Sequence, residues 1–121
     1  GAKYDYVRPL ATIEPTAIYF GLPVNASIGF KDVDKLADAL LSPSYQGSVV
    51  VVAWEHALVE ETARRIIKRS GGDASSVPKW ASADFDSIYV VRITHHAGTA
   101  VASFTVDREG LNGQPAACPA R

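Results

Sequence analysis

Few residues in this chain are both capable of chemistry and placed where chemistry could occur, and His56 stands out among them. It follows Val49-Val50-Val51-Val52-Ala53-Trp54-Glu55 and comes directly before a strongly patterned helix. Backbone N–H groups at a helix start favour an anion, and an imidazole there adds a further donor. Position alone balances an anion-binding role against a structural histidine that caps or packs on the helix. Arg8 occupies the matching place in an earlier unit, between an extended segment and a helix start. Its planar guanidinium could grip a phosphate through two hydrogen bonds, although on sequence alone a solvated arginine explains it more simply. If Arg8 and His56 converge at one sheet edge, each strengthens the reading of the other. Glu55 could act as an acid or orient His56, but neighbours on an extended backbone point to opposite sides.

Other candidates carry less. His95-His96 suggests a metal, yet adjacent histidines on an extended turn diverge, and no Cys or Asp cluster supports them. Asp32 and Asp34 could lie near the same edge, with helix capping sufficient to account for Asp32. Trp54 and Trp80 read as anchors more than as ligand platforms. No glycine-rich phosphate loop is present, since Gly71-Gly72 ends a helix, and no Gly-x-Ser-x-Gly elbow occurs. The single cysteine, Cys118, lies in a Pro/Ala-rich tail and excludes an intrachain disulfide framework. No cofactor is implied.

These residues need elements to position them. Four consecutive valines are too apolar for a strand with one wet face, so Val49–Val52 predicts a strand covered on both sides, as in a parallel sheet. Tyr4–Val7 reads as the end of another strand. Leu10, Ile13, Ala17 and Phe20 mark a helical face that Pro15 should kink or split, ending at Gly21. Val33, Leu36, Ala37, Leu40 and Leu41 form a second helical stripe, with Asp32 as N-cap and Ser42-Pro43 as the stop. After His56, Leu58, Val59, Thr62, Ala63, Ile66 and Ile67 line the best helix in the chain. Glu60–Arg64 and Glu61–Arg65 support it at i, i+4 spacing, and Gly71-Gly72 stops it. A polar loop from Asp73 to Asp84 follows. Ser87–Thr94 and Thr99–Asp107 predict a β-hairpin through Gly98, and Glu109–Arg121 a surface tail. The expected architecture is α/β: a layered sheet, mainly parallel with an antiparallel C-terminal hairpin, flanked by about three helices.

Composition sets the bounds. The 121 residues suit one domain, 1–121, and the 47% hydrophobic content supports a packed core. A formal net charge of −1 gives no broad basic surface for nucleic acid or anionic lipid. No apolar run approaches the roughly 20 residues that span a bilayer. The start lacks a signal-peptide plan, and a cytoplasmic location is slightly favoured.

The order of several segments resembles the histidine phosphatase (phosphoglycerate mutase-like) superfamily. Arg8-Pro9-Leu10-Ala11-Thr12-Ile13-Glu14-Pro15-Thr16-Ala17 resembles the segment carrying a phosphate-binding arginine. Val49–Trp54 followed by Glu55-His56 resembles the late strand that ends in the family's second histidine. Pro78-Lys79-Trp80, then Asp84-Phe85-Asp86-Ser87-Ile88-Tyr89-Val90, is similar to the end of a bacterial branch. The resemblance implies metal-free phosphoryl transfer through a phosphohistidine, with Arg8 and His56 as phosphate ligands and His56 supporting the nucleophile. The family's Arg-His-Gly motif is absent, and none of His56, His95 and His96 matches the nucleophile. The expectation is therefore a phosphate-binding, catalytically incomplete domain: a fragment or carboxy-terminal half, completed by a missing amino-terminal half or a second copy. Its ligand would be phosphate or a phosphorylated small molecule. The alternative is a non-enzymatic binding or assembly module that dimerises or pairs through an exposed sheet edge, and a phosphate sensor is a third reading.

Overall fold

The computed structural model describes residues 7–115 and residue 117. The fold is α/β, with three helices and a two-stranded antiparallel sheet: α1 (Arg8–Phe20), α2 (Val33–Leu40), α3 (His56–Arg69), β1 (Ser87–His96) and β2 (Thr99–Arg108). Single 3₁₀ turns at Pro43–Tyr45 and Ala74–Ser76 punctuate the connections.

Helix α3 lies at the centre, packing against α2, against the Ala74–Ser76 turn and against both strands. Its stripe buries Thr62, Ala63, Ile66 and Ile67. Ala63, Ile67 and Val77 form the core cluster, closed on the hairpin side by Tyr89, Val91, Ala102 and Phe104. Ile67 is 2% exposed. Aromatic rings extend this core: Trp80 sits 4.5 Å from Tyr89, and Tyr89 meets Phe104 edge-on at 5.0 Å. Tyr89 donates its hydroxyl to the Pro78 carbonyl at 3.0 Å, and burial pushes the phenol's pKa up. The loop over α3 is fastened by the Glu60 carboxylate, which accepts from Arg64 Nε at 3.0 Å and from the Trp80 N–H at 2.7 Å. Arg64 also donates to the Ala74 carbonyl at 2.9 Å.

The hairpin pairs Ser87 with Arg108 through His96 with Thr99, without a bulge. Its two-residue turn, Ala97-Gly98, has φ of 49° and 81°, the conformation whose twist matches that of the strands. Beyond it, the Asp84–Asp86 turn is tied to the following segment. Asp86, 6% exposed, accepts the Leu111 N–H on its carboxylate and the Glu109 N–H on its carbonyl. Asp84 takes the Ser87 hydroxyl at 2.6 Å, the Asp86 N–H at 2.9 Å and the Ser87 N–H at 3.1 Å. These bonds, the Ser87 hydroxyl first, draw its carboxyl from 3.8 down to about 2.

Several expectations meet corrections here. Val49–Val52 does not form a strand covered on both faces: Val49 is 94% exposed, Val50 and Val51 are exposed, and no strand pairs with them. A lone valine run cannot form a ladder without a neighbour, however strong its β-propensity. No parallel strand is found among the described residues, and the sheet they form is the hairpin alone. Most of the Tyr4–Val7 segment lies outside the described residues, as does Cys118. Pro15 does not divide α1, which runs unbroken through it. Gly21 ends α1 at φ 62°, with Gly21 N–H bonded to Ile18 and Leu22 N–H to Ala17, the double bond of a left-handed helix cap. Asp32 occupies the N-cap position of α2 but makes no side-chain cap bond.

Two outcomes follow from this packing. Ile67→Ala should lower stability by about 3 kcal/mol in urea unfolding, because it opens a cavity in the core, whereas Val49→Thr should change it by less than about 0.5 kcal/mol. The Asp84 carboxyl is depressed by folding, so its contribution is present above about pH 4 and is lost as pH falls toward 2. Ser87→Ala should raise that pKa toward 3.8 in a carboxyl NMR titration and move acid unfolding to higher pH.

Candidate functional site

The segment leading to His56 is anchored at its end. Trp54 donates its indole N–H to the Phe30 carbonyl at 2.8 Å, fixing the entry to α3 against the segment before α2. Glu55 is the N-cap of α3, and its Oε2 accepts the Leu58 N–H at 3.0 Å. Its other oxygen, Oε1, lies 2.7 Å from His56 Nδ1. The expectation that Glu55 and His56 point to opposite sides is thereby corrected. That rule holds along an extended backbone, whereas His56 is already the first helical residue and its side chain turns back toward the cap.

Nδ1 lies against the carboxylate, and Nε2 has no partner among the described residues. The His56 side chain is 50% exposed. The N–H groups of His56 and Ala57 make no hydrogen bond among the described residues, while Leu58 N–H is already taken by Glu55. At the start of α3, Nε2 and two backbone N–H groups are thus without partners among the described residues, beside a carboxylate that already accepts from Leu58.

Arg8 is the first residue of α1, exposed, at the N1 end just before Pro9. The two principal depressions on the described surface lie elsewhere, along α2 and α3. One is lined by Lys31, Val33, Asp34, Leu58, Glu61 and Arg65, and the other by Arg64, Lys68 and Arg69 with Asp34 and Glu61. Neither includes Arg8 or His56. His95 and His96 end β1 in exposed positions. Among the described residues, no group of three or more His, Cys, Asp or Glu side chains could hold a metal. No described helix is long and apolar enough to cross a membrane.

Asp34 has a role that its proximity to the presumed edge did not suggest. Arg65 and Arg69 of α3 both reach its carboxylate, Arg69 at 2.8 Å, and Arg69 also pairs with Asp38. Arg65 Nη2 pairs with Glu61 as well. The Arg65 hydrogen bond, with the charges of Arg65 and Arg69, holds the Asp34 carboxyl below its usual range. The same contacts, Glu61 first and then Asp34, raise the Arg65 guanidinium. This clamp was legible in principle: acids at 34 and 38 face arginines at 65 and 69, and each pair is spaced by one helical turn.

Glu55 has two separable functions, and substitution distinguishes them. Glu55→Ala should cost about 1 kcal/mol through loss of the cap bond to Leu58. It should also remove the carboxylate that lies against Nδ1, detected as a change in the His56 ring-nitrogen NMR shifts. Glu55→Gln should keep most of the cap and lose the ion pair. No protein-family model, characterised protein or solved structure matches this chain.

Proposed function

We propose that this chain is a histidine phosphatase-like phosphate-binding domain, with Arg8 and His56 as ligands for phosphoryl oxygens and Glu55 orienting His56. The observation that carries this reading is the Glu55–His56 pair at the start of α3, with Nδ1 2.7 Å from the carboxylate and Nε2 without a partner among the described residues. It rests equally on the order of the Arg8–Ala17, Val49–His56 and Pro78–Val90 segments, which resembles that superfamily. His56 supports phosphoryl binding and is not the nucleophile, because no Arg-His-Gly motif accompanies any of the three histidines. The chain as given is thus catalytically incomplete. Its phosphoryl chemistry would need a nucleophilic histidine from another segment and no metal.

The same reading gives the valine run a purpose. Val49–Val52 would be one strand of a mainly parallel layered sheet, completed by strands from another polypeptide or a second copy. Support comes from the run's exposure and from its backbone: no N–H or C=O of Val49–Ala53 is hydrogen-bonded among the described residues. A second reading, a non-enzymatic module that pairs through this segment, draws on the same exposed surface without needing His56.

Titration with inorganic phosphate, followed through the imidazole resonances, separates the two. Under the first reading His56 shifts on saturation, and Arg8→Ala and His56→Ala each weaken binding roughly tenfold, the size of one charge-assisted hydrogen bond. If the unmodified chain binds no phosphate, the pocket is lost as an explanation. Light scattering tests the second reading, for which a well-folded dilute monomer is the contrary result.

A further inference from the structure

The two asparagines of this chain stand in different chemical settings. Asn25 precedes Ala26, and its Oδ1 accepts both the Ser27 N–H at 3.0 Å and the Ser27 hydroxyl at 2.7 Å. Asn112 precedes Gly113 in an exposed turn. Gly113 has φ of 81°, and the space where a Cβ would stand is open. Its N–H makes no hydrogen bond among the described residues. Nothing therefore shields that nitrogen, and no side chain hinders its approach to the preceding side-chain amide.

The Asn112 amide is also tied to its neighbours at both ends. Its Oδ1 accepts the Phe85 N–H at 3.0 Å, and a donor on that oxygen draws electron density from Cγ. Its Nδ2 donates to Asp84 Oδ1 at 3.4 Å. With the Leu111 and Glu109 bonds to Asp86, this amide forms a strap that ties residues 109–112 to the Asp84–Asp86 turn.

We propose that Asn112-Gly113 is a site of spontaneous deamidation, and that its conversion releases this strap from the Asp84–Asp86 turn. The Gly113 backbone nitrogen gives up its proton and attacks Asn112 Cγ. The Cγ–Nδ2 bond breaks, ammonia leaves, and a cyclic imide joins the two residues. Water then opens either imide C–N bond, leaving an aspartate or an isoaspartate at position 112. The net change is one water consumed and one ammonia released, with no oxidation or reduction. Either product replaces the amide donor with a carboxylate beside Asp84, whose own carboxyl is ionised at neutral pH with a pKa of about 2. Two like charges at that separation repel where a hydrogen bond stood before. The isoaspartate product also lengthens the backbone by one carbon and displaces the acceptor from the Phe85 N–H.

The test incubates the intact chain at neutral pH and physiological temperature and follows both asparagines by peptide mapping, with enzymatic methylation to detect isoaspartate. Asn112 should convert at least about tenfold faster than Asn25, because Gly113 offers no Cβ to the attack. In the converted fraction, separated by charge, the Phe85 amide should exchange its hydrogen at least about tenfold faster, as expected when a local opening becomes easier. Asn112→Asp, made directly, should show the same exchange without incubation. Conversion at Asn112 no faster than at Asn25 would overturn the proposal. Unchanged Phe85 protection in both the converted chain and Asn112→Asp would do the same.

Discussion

Helix α3 must satisfy two surfaces at once, and α2, the Ala74–Ser76 turn and the hairpin are held by that requirement. Ala63 and Ile67 are buried toward Val77 and the hairpin, while Arg65 and Arg69 reach across to Asp34 and Asp38 of α2. The elements on either side cannot stand without it. A two-stranded hairpin alone is at best marginal in water, and an eight-residue helix is below the length that persists in isolation. The hairpin gains order from Tyr89, Val91, Ala102 and Phe104 closing over the helix, and α2 from burying Val33, Leu36 and Ala37. The arginine clamp adds direction more than energy, since exposed ion pairs contribute little and are screened by salt.

Against this centre, the Val49–Ala53 run shows the opposite condition. Its side chains favour a pleated, half-buried surface, and its backbone offers a row of unpaired donors and acceptors. Water satisfies those groups, but the valines gain nothing from their exposure. The chain does hold the run's far end firmly, through Trp54 on the Phe30 carbonyl and Glu55 on the Leu58 N–H. The candidate ligand His56 thus sits between a well-determined helix and a segment whose natural partner would be another strand.

What the sequence revealed follows the range of the forces involved. Helix α2, helix α3 and the hairpin were legible because their signals are local: apolar spacing, i, i+4 pairs and turn glycines act within a few residues. The Glu60–Arg64 and Glu61–Arg65 pairs form as that spacing implies. A strand is different, because the same valines pair or lie bare depending on a neighbour distant in sequence. Asp34 misled for a related reason, since its role depends on arginines 31 and 35 residues away. The relation between Glu55 and His56 was misread because alternation assumes extended backbone on both sides of the bond, and the helix begins between them. Pro15 was expected to kink or split α1, and of the two the split does not occur, because the hydrogen bonds of the flanking turns carry the helix past it.

The position of Glu55 changes how an anion could be held at this helix start. A bare N-terminus would offer its amides and the positive end of the helix dipole to a phosphate. Here a carboxylate already accepts from the Leu58 N–H and lies against His56, so part of that field is neutralised before any ligand arrives. The amides of His56 and Ala57 alone would leave a phosphate close to a like charge. Binding then needs a cation that reaches the phosphoryl group from a different direction, and His56 Nε2 supplies only one contact. On this electrostatic ground, Arg8 becomes a requirement of the phosphate reading and not a reinforcement of it. Glu55 would still contribute on that reading, because its carboxylate lies against Nδ1 and leaves Nε2 as the nitrogen open to a ligand. On the phosphate reading this would be a side-chain site at a helix start, drawing its attraction from the Arg8 guanidinium.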